Sequence, residues 1–263
     1  MDVFFIILCF IIGTVMGSFY NVVIYRVPEC KSIIKPRSSC GDCGKILEPF
    51  DLIPVFSYIF LKGKCRYCKQ PISLQYPLVE LLTGLLFVFL YLRFSISVEF
   101  IFSVYISSIL LIVFFIDLKH MIIPNGLVVA ALIGSSILFI LRFFYDDSII
   151  VGEPWYFPLL GMVIPSVFLL LVAIFGYIAN KGEAMGMGDV KIFAPIGLFL
   201  GLKLSVLALF LSMLIGGLAG LILIVAGIKE RKSQVPFGPF IVAGSLLSLF
   251  YGNEILTWYF SIL

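Results

Sequence analysis

The sequence predicts an all-α membrane protein, a polytopic bundle of about eight transmembrane helices. Hydrophobic residues make up 62% of the 263 residues and charged residues 13%, whereas a typical soluble domain has about 45–50% and about 25%. Apolar segments of about 20 residues, the length that crosses a hydrocarbon core of about 30 Å, recur along the whole chain. Because lipid offers the backbone no hydrogen-bond partner, these segments are predicted to be helices.

The predicted transmembrane segments are 3–25, 76–92, 99–117, 126–145, 157–178, 190–201, 204–228 and 237–262. We interpret the first as a retained helix, because it lacks the basic n-region of a secretory signal and is longer than a signal h-region. Its small residues Gly13 and Gly17 are spaced for close helix packing. The sixth segment is short and contains Pro195.

The positions of lysine and arginine predict the orientation, because cytoplasmic loops carry an excess of both. The loop from Arg26 to Lys69 contains nine of them, so we place it in the cytoplasm. Alternation from there puts both termini outside, with fifteen basic residues inside and three outside. The other inside residues are Lys119, Lys181, Lys191, Lys229, Arg231 and Lys232, and the outside residues are Arg93, Arg142 and Lys203. The outer loop with Asp146, Asp147 and Glu153 is acidic. This asymmetry explains the net charge of +3 and gives no indication of nucleic-acid binding.

The basic loop contains two Cys-x-x-Cys pairs, in SSCGDCGK and GKCRYCKQ. Each pair can form a tight turn that directs two thiolates at one ion, and four thiolates form the closed tetrahedral set typical of structural zinc. A small cytoplasmic zinc-binding loop therefore completes the predicted fold, stabilised by the metal in place of a core of its own. Redox-active thiols are the alternative, and disulfides are less expected in a reducing cytosol. The predicted ligands are Cys40, Cys43, Cys65 and Cys68, with Cys9 and Cys30 outside the pattern.

Two aspartates lie at the ends of apolar segments. Inserting a charged side chain at the bilayer centre costs about 2.5–3.5 kcal/mol, so acidic residues in or beside such segments are candidates for a function. Asp117 closes the third segment and Asp189 opens the sixth, so both are predicted at the cytoplasmic side and can meet. Two facing carboxylates in a partly dry site share one proton, and such a pair can hydrolyse an amide. The ionised partner takes a proton from water while the other protonates the carbonyl oxygen. Helix dipoles predict that the proton rests mainly on Asp117.

Three further residues are candidates for substrate binding. Gly186 and Gly188 flank Met187 and allow a positive φ or the close approach of another chain. An extended substrate strand could pair with the backbone of this turn. Glu80, one turn into the second segment, is the third candidate, although its side chain could also extend to the interface.

These residues resemble those of known membrane peptidases. GMGD at 186–189 matches the GxGD signature of intramembrane aspartyl proteases. Five sequence blocks and the two Cys-x-x-Cys pairs resemble, in their order along the chain, those of bacterial type IV prepilin peptidases. The five blocks are GSFYNVVIYRVP at 17–28, QYPLVELLTG at 75–84, FIDLKHMIIPN at 115–125, GMGDVK at 186–191 and PFGPF at 236–240.

The resemblance implies a multi-pass endopeptidase of the bacterial cytoplasmic (inner) membrane. It would remove the short basic leader of prepilins and pseudopilins on the cytoplasmic side, while the substrate's apolar N-terminal helix stays in the lipid bilayer. Its catalytic residues would be Asp117 and Asp189. Asn125 stands where many members have another aspartate, which leaves Asp117 as the only acid of that block.

The resemblance also divides the chain and suggests a second activity. Residues 1–25 would be the first transmembrane helix, 26–75 the four-cysteine zinc loop, and 76–263 the multi-helix aspartyl peptidase domain.

Many relatives methylate the new N-terminal amine with S-adenosylmethionine. Because no G-x-G-x-x-G motif follows a predicted strand, only the resemblance suggests this activity, and we would look for it in the 26–75 loop and the neighbouring helix ends.

Two other functions are compatible with the residues alone. A proton- or metal-coupled transporter could use Asp117 and Asp189 as relay residues, although transporter sites usually lie near the membrane midplane between repeated halves. A scaffold for pilus or competence machinery could use zinc as a docking element, but it would need no aspartate pair.

Overall fold

The computed structural model describes residues 3–142, 154–180, 186–228 and 235–262. Within these ranges the chain is helical, with two isolated β-bridges and no strand. A 3₁₀ helix at Pro49–Leu52 accompanies nine α-helices, which are α1 Val3–Arg26, α2 Phe56–Phe60, α3 Gln75–Phe94, α4 Val98–His120, α5 Asn125–Leu141, α6 Phe157–Asn180, α7 Met187–Leu200, α8 Leu202–Val225 and α9 Gly238–Ile262. The predictions for the charged residues Lys181, Lys229, Arg231, Lys232, Asp146, Asp147 and Glu153 lie outside the described residues.

The predicted all-helical membrane fold is confirmed, since each of the eight predicted segments corresponds to a helix. Six of these helices are long and apolar enough to cross a bilayer, namely α1, α3, α4, α6, α8 and α9. The other two, α5 and α7, have 17 and 14 residues. At 1.5 Å per residue, α7 is about 21 Å long, which is shorter than a hydrocarbon core of about 30 Å.

Contacts divide the chain into two units, Met1–Val104 and Tyr105–Leu263. This boundary falls within α4 and does not test the predicted division into 1–25, 26–75 and 76–263, which stays a prediction. In the first unit, α1 packs closely along α3. A Cβ on Gly13 would lie 2.8 Å from Gly84 Cα, and one on Gly17 would lie 2.7 Å from Glu80 Cα. The small-residue face predicted on α1 is therefore the helix contact of this unit.

In the second unit, α7 is the most enclosed helix and packs against α5, α6, α8 and α9. Its backbone meets that of α6, because a Cβ on Gly161 would lie 2.7 Å from the carbonyl oxygen of Gly197. Pro195 is accommodated where the hydroxyl of Ser135 donates a 2.9 Å hydrogen bond to its carbonyl. Gly201, with φ +80°, makes the turn into α8, a conformation that favours glycine.

The packing of α9 on α8 also depends on small residues. A Cβ on Gly244 would lie 2.6 Å from the carbonyl oxygen of Ala208, and Ser248 Oγ donates a 2.7 Å hydrogen bond to the carbonyl of Leu204. The opposite surfaces carry exposed large apolar side chains, such as Phe210 and Val225 on α8. Small residues inside and large apolar residues outside are expected of helices that face lipid.

Gly197→Ala is expected to destabilise the second unit. The new Cβ would collide with the backbone at Gly161 O, and overpacking of this kind costs about 1–3 kcal/mol. The matched control is Gly220→Ala, because a Cβ there meets nothing within 4 Å. Thermal unfolding in detergent should show a lower Tm for Gly197→Ala and an unchanged or higher one for Gly220→Ala; equal Tm values would contradict the described α6–α7 contact.

Candidate active site and candidate metal centre

Asp117 lies in the last turn of α4 and is buried, with 4% of its surface exposed. Its Oδ2 accepts a 2.8 Å hydrogen bond from the backbone N–H of Gly238, the first residue of α9. The first N–H groups of a helix have no partner within the helix and favour a negative charge. The start of α9 therefore compensates part of the cost of burying this carboxylate.

Asp189 lies in the first turn of α7 and is also buried, with 7% of its surface exposed. Gly186 is the N-cap of α7, and its carbonyl accepts the backbone N–H of Asp189 at 3.1 Å. Asp117 lies close enough for its charge to influence the carboxylate of Asp189. The structure therefore brings the two predicted aspartates together, as expected from their positions at helix ends.

The turn between α4 and α5 helps to bring the two aspartates together. Met121 leaves α4 with φ +54°, and its N–H bonds to the carbonyl of Asp117 at 2.9 Å. Ile123 of this turn packs on α7, because a Cβ on Gly188 would lie 2.9 Å from Ile123 Cβ. Gly188 thus permits a close approach within the protein, while Gly186 has an ordinary φ of −68°. The predicted substrate contacts of both glycines stay predictions.

A second contact joins the starts of α5 and α7 beside the aspartates. Lys191 Nζ donates a hydrogen bond of 3.2 Å to Asn125 Oδ1. Asn125 is the position at which the resemblance led us to expect an aspartate in many relatives. An amide there accepts the lysine hydrogen bond without adding a third carboxylate to the pair.

Gly238 is a site residue that the sequence reasoning missed. It lies in the PFGPF block, which we used for the resemblance but to which we gave no role. A Gly-Pro step directly before an apolar segment indicates a helix start, and that signal could have placed free N–H groups at this level. Because Gly238 donates to Asp117, both aspartates lie near the start of a helix, and the helix dipole no longer indicates which of them carries the proton. The location of the proton stays a prediction.

Glu80, a predicted substrate-binding residue, is buried in the first unit. Its Oε2 accepts a 2.7 Å hydrogen bond from the backbone N–H of Val55, and it also interacts with the Ser18 hydroxyl. Glu80 thus connects α3 to the cysteine loop. Its binding of substrate stays a prediction.

The four predicted zinc ligands form one cluster. The sulfur atoms of Cys40, Cys43, Cys65 and Cys68 all lie within 4.8 Å of one another, with 3.8 Å between Cys40 and Cys68. A tetrahedral zinc ion with Zn–S bonds of about 2.3 Å requires sulfur atoms about 3.8 Å apart. The cluster therefore fits a zinc ion, and the four cysteines would fill its coordination shell.

Both Cys-x-x-Cys pairs have the same backbone turn. Cys40 and Cys65 each donate an N–H to the carbonyl five residues later, and each accepts the N–H of the residue four positions later, Gly44 or Lys69. Gly44 and Lys69 both have a positive φ, +67° and +61°. The two short turns present their thiols to the same point, which is the local structure that the spacing predicted.

The electrostatics of the cluster also favour a cation. Backbone N–H groups of Cys68 and Tyr67 lower the pKa of Cys65 to about 7. The pKa of Cys68 is raised to about 12, because burial and the neighbouring thiols outweigh the N–H of Gln70, which lowers it. Four thiolates at this spacing repel one another, and a divalent ion removes that repulsion.

The second cysteine turn is fixed to the rest of the loop by Asp51, in the 3₁₀ helix. Its carboxylate accepts hydrogen bonds from Arg66 Nε at 2.6 Å and from the Tyr67 hydroxyl at 3.1 Å. Arg66 and Tyr67 are the two residues between Cys65 and Cys68. The loop is thus organised around the cluster and has no apolar core of its own.

Two neighbouring, buried aspartates in an all-helical membrane chain fit the class of membrane aspartyl peptidases. The comparison with protein families agrees with this class. A model of the bacterial peptidase A24 N-terminal domain matches residues 11–94, and a model of the type IV leader peptidase family matches residues 104–221. The chain belongs to the type IV leader peptidase family and is an aspartic-type peptidase.

Curated relatives resemble the chain over almost its whole length. A prepilin leader peptidase/N-methyltransferase of Bacillus subtilis is 39% identical over 95% of this chain and 96% of the relative. The corresponding protein of Aeromonas hydrophila is 31% identical over 96% of this chain and 92% of the relative. No solved structure matches the chain.

Cys65→Ser is expected to lower the zinc content of the purified protein, because it removes the most buried ligand of the cluster. The matched control is Cys30→Ser, an exposed thiol of the same loop outside the cluster. Elemental analysis gives the zinc content, and limited proteolysis should show faster cleavage of the loop in the Cys65→Ser variant only. A full zinc content in that variant would refute the ligand assignment.

Proposed function

We propose that this peptidase removes the leader of prepilins or pseudopilins and that Asp117 and Asp189 are its catalytic pair. The observation that carries the proposal is the pair itself, since both carboxylates are buried and interact at the ends of apolar helices. The names of the relatives, prepilin leader peptidase/N-methyltransferase, supply the substrate class. The transporter alternative has no comparable support, because the chain belongs to a peptidase family.

The reaction follows from one proton shared by two carboxylates. The ionised aspartate removes a proton from a water molecule, whose oxygen attacks the scissile carbonyl carbon, while the protonated aspartate donates its proton to the carbonyl oxygen. The tetrahedral intermediate then collapses as the leaving nitrogen receives a proton. The products are the leader carboxylate and the amine of the mature chain. Gly238 orients Asp117 through its N–H during both steps.

The cleavage takes place at the cytoplasmic side of the bacterial inner membrane. Support comes from the basic loop between the first two transmembrane segments, because cytoplasmic loops carry the excess of lysine and arginine. Asp117 lies in the last turn of α4, two residues before Lys119, and Asp189 lies in the first turn of α7, two residues before Lys191. These lysines belong to the same predicted side as the loop.

The substrate is a chain with a basic leader followed by an apolar helix that stays in the bilayer. To reach the aspartates, the scissile peptide must be extended, because a helical peptide bond is shielded by its own neighbours. Gly186 and Glu80 remain candidates for holding this segment, together with Gly188. Gly186, at the exposed start of α7, presents its backbone next to Asp189.

Zinc and S-adenosylmethionine have separate places in the proposal. Cys40, Cys43, Cys65 and Cys68 would hold zinc, which would stabilise the loop and take no part in the cleavage, because four protein ligands close its coordination shell. N-methylation of the mature N-terminus is proposed from the names of the relatives alone. No residue of this chain is assigned to methyl transfer.

Asp117→Asn and Asp189→Asn are each expected to abolish leader removal, because an amide neither accepts the proton of water nor donates an acid proton. Mass spectrometry of a prepilin from the same organism, co-expressed with each variant, checks this. The matched control is Glu99→Gln in the first turn of α4, at the other end of the helix from Asp117. This variant should cleave like the parent, and an added methyl group on the mature product would establish the second activity.

The proposal fails if either aspartate variant, folded and present at the level of the parent, still removes the leader. It also fails in its substrate class if the parent leaves every prepilin of the organism intact.

Gly238→Ala is expected to lower kcat about 10- to 100-fold, because a hydrogen bond to a charged group contributes about 1.5–3 kcal/mol. The new Cβ would lie 2.6 Å from Asp117 Oδ2 and displace the carboxylate. Gly217→Ala is the control, since a Cβ there meets nothing within 4 Å. Cleavage rates on a synthetic prepilin give the comparison, and an unchanged kcat for Gly238→Ala would exclude a positioning role for Gly238.

A further inference from the structure

The cysteine loop carries an apolar surface that the proposed peptidase reaction does not use. It consists of Phe56, Ile59 and Phe60, which we call the loop apolar face. Their side chains are exposed, between 61% for Phe56 and 81% for Phe60. Contiguous exposed aromatic and aliphatic side chains mark a binding surface for a protein or a membrane.

The loop apolar face lies on one side of a short helix. Phe56, Ile59 and Phe60 are at positions i, i+3 and i+4 of α2, so they project in the same direction. Tyr58 projects to the other side, where its hydroxyl donates to the carbonyl of Ile72 at 3.3 Å and its ring covers Gly63. The helix is thus fixed to the loop through one side and presents the other.

A buried contact sets the depth of this helix relative to the membrane. Val55, directly before α2, is held by Glu80, which lies five residues after the first residue of α3. At 1.5 Å per residue this is about 8 Å along a helix that is long and apolar enough to span the bilayer. Amphipathic helices that lie in the membrane interface bury their apolar face about 5–10 Å deep. With the start of α3 at the membrane surface, as the predicted segment 76–92 has it, the Val55–Glu80 hydrogen bond brings the start of α2 to a depth in this range.

The charge of the loop indicates the same partner. Exposed Lys62 and Lys64 follow α2 directly. The loop at 26–75 contains nine basic and four acidic residues. The cytoplasmic leaflet is rich in anionic lipids and attracts basic segments next to it.

We propose that the loop apolar face inserts into the headgroup region of the membrane, with the neighbouring lysines bound to anionic lipid. The cysteine loop is then held on the bilayer by lipid as well as by α1 and α3. This role uses neither aspartate of the proposed catalytic pair. Glu80 acts in it as the residue that positions the helix.

Tryptophan quenching by brominated lipids tests the proposal on the full-length, zinc-loaded protein in nanodiscs. The background carries Trp155→Phe and Trp258→Phe, which removes both native tryptophans. Phe60→Trp places the probe on the loop apolar face, and Tyr58→Trp places it on the opposite side of the same helix as a matched control. Zinc content confirms that both variants retain the folded loop.

We expect lipids brominated near the headgroup to remove most of the emission of the Phe60→Trp variant and much less of that of the Tyr58→Trp variant. The quenching should be stronger in membranes that contain phosphatidylglycerol than in phosphatidylcholine alone. Equal quenching of the two variants, or a Phe60→Trp probe quenched by aqueous acrylamide and not by brominated lipid, overturns the proposal. A probe shielded from both quenchers also overturns it, because a second copy or another protein would then cover the face.

Discussion

The burial of two carboxylates in an otherwise apolar unit is the constraint on which the site depends. A single buried anion is expensive, and a second one next to it adds repulsion. The chain compensates with two helix starts, since α9 directs the N–H of Gly238 at Asp117 and Asp189 lies in the first turn of α7. The remaining charge is reduced when the pair shares one proton. In the proposed reaction, the same proton makes the pair an acid and a base together.

The position of Asp189 depends on the unusual helix α7. This helix is too short to cross the bilayer and is surrounded by other helices of its unit, so neither end has to reach lipid headgroups. Its N-terminus can therefore lie at the level of the turn after α4, where Gly188 packs against Ile123. The glycine contact between Gly161 and Gly197 and the turn at Gly201 keep it in place. Enclosure of α7 is what allows a charged residue to remain buried at its start.

The features that could be predicted from the sequence are those with a local signal. Apolar length predicted the eight helices, and the Cys-x-x-Cys spacing predicted a cluster of four sulfurs that the structure contains. The depth of Asp117 and Asp189 at helix ends predicted that they meet. Gly238 was missed because it lies 121 residues from Asp117, and a donor that belongs to the backbone leaves no side-chain signal. The contact of Val55 with Glu80 was missed for the same reason, and the binding of substrate by Glu80 stays a prediction.

The two units use the same physical device for different purposes. In both, a buried carboxylate accepts a backbone N–H from a distant segment, Gly238 for Asp117 and Val55 for Glu80. In the proposed reaction, the contact in the second unit orients a carboxylate that reacts, so a small displacement would change the chemistry. The contact between Val55 and Glu80 in the first unit attaches the cysteine loop, which has no apolar core, to α3. Its effect is therefore on the position of that loop. A carboxylate in a membrane protein of this kind is therefore not by itself a sign of catalysis. What distinguishes Asp117 is the second buried carboxylate of Asp189 beside it, because one carboxylate alone cannot provide both the acid and the base.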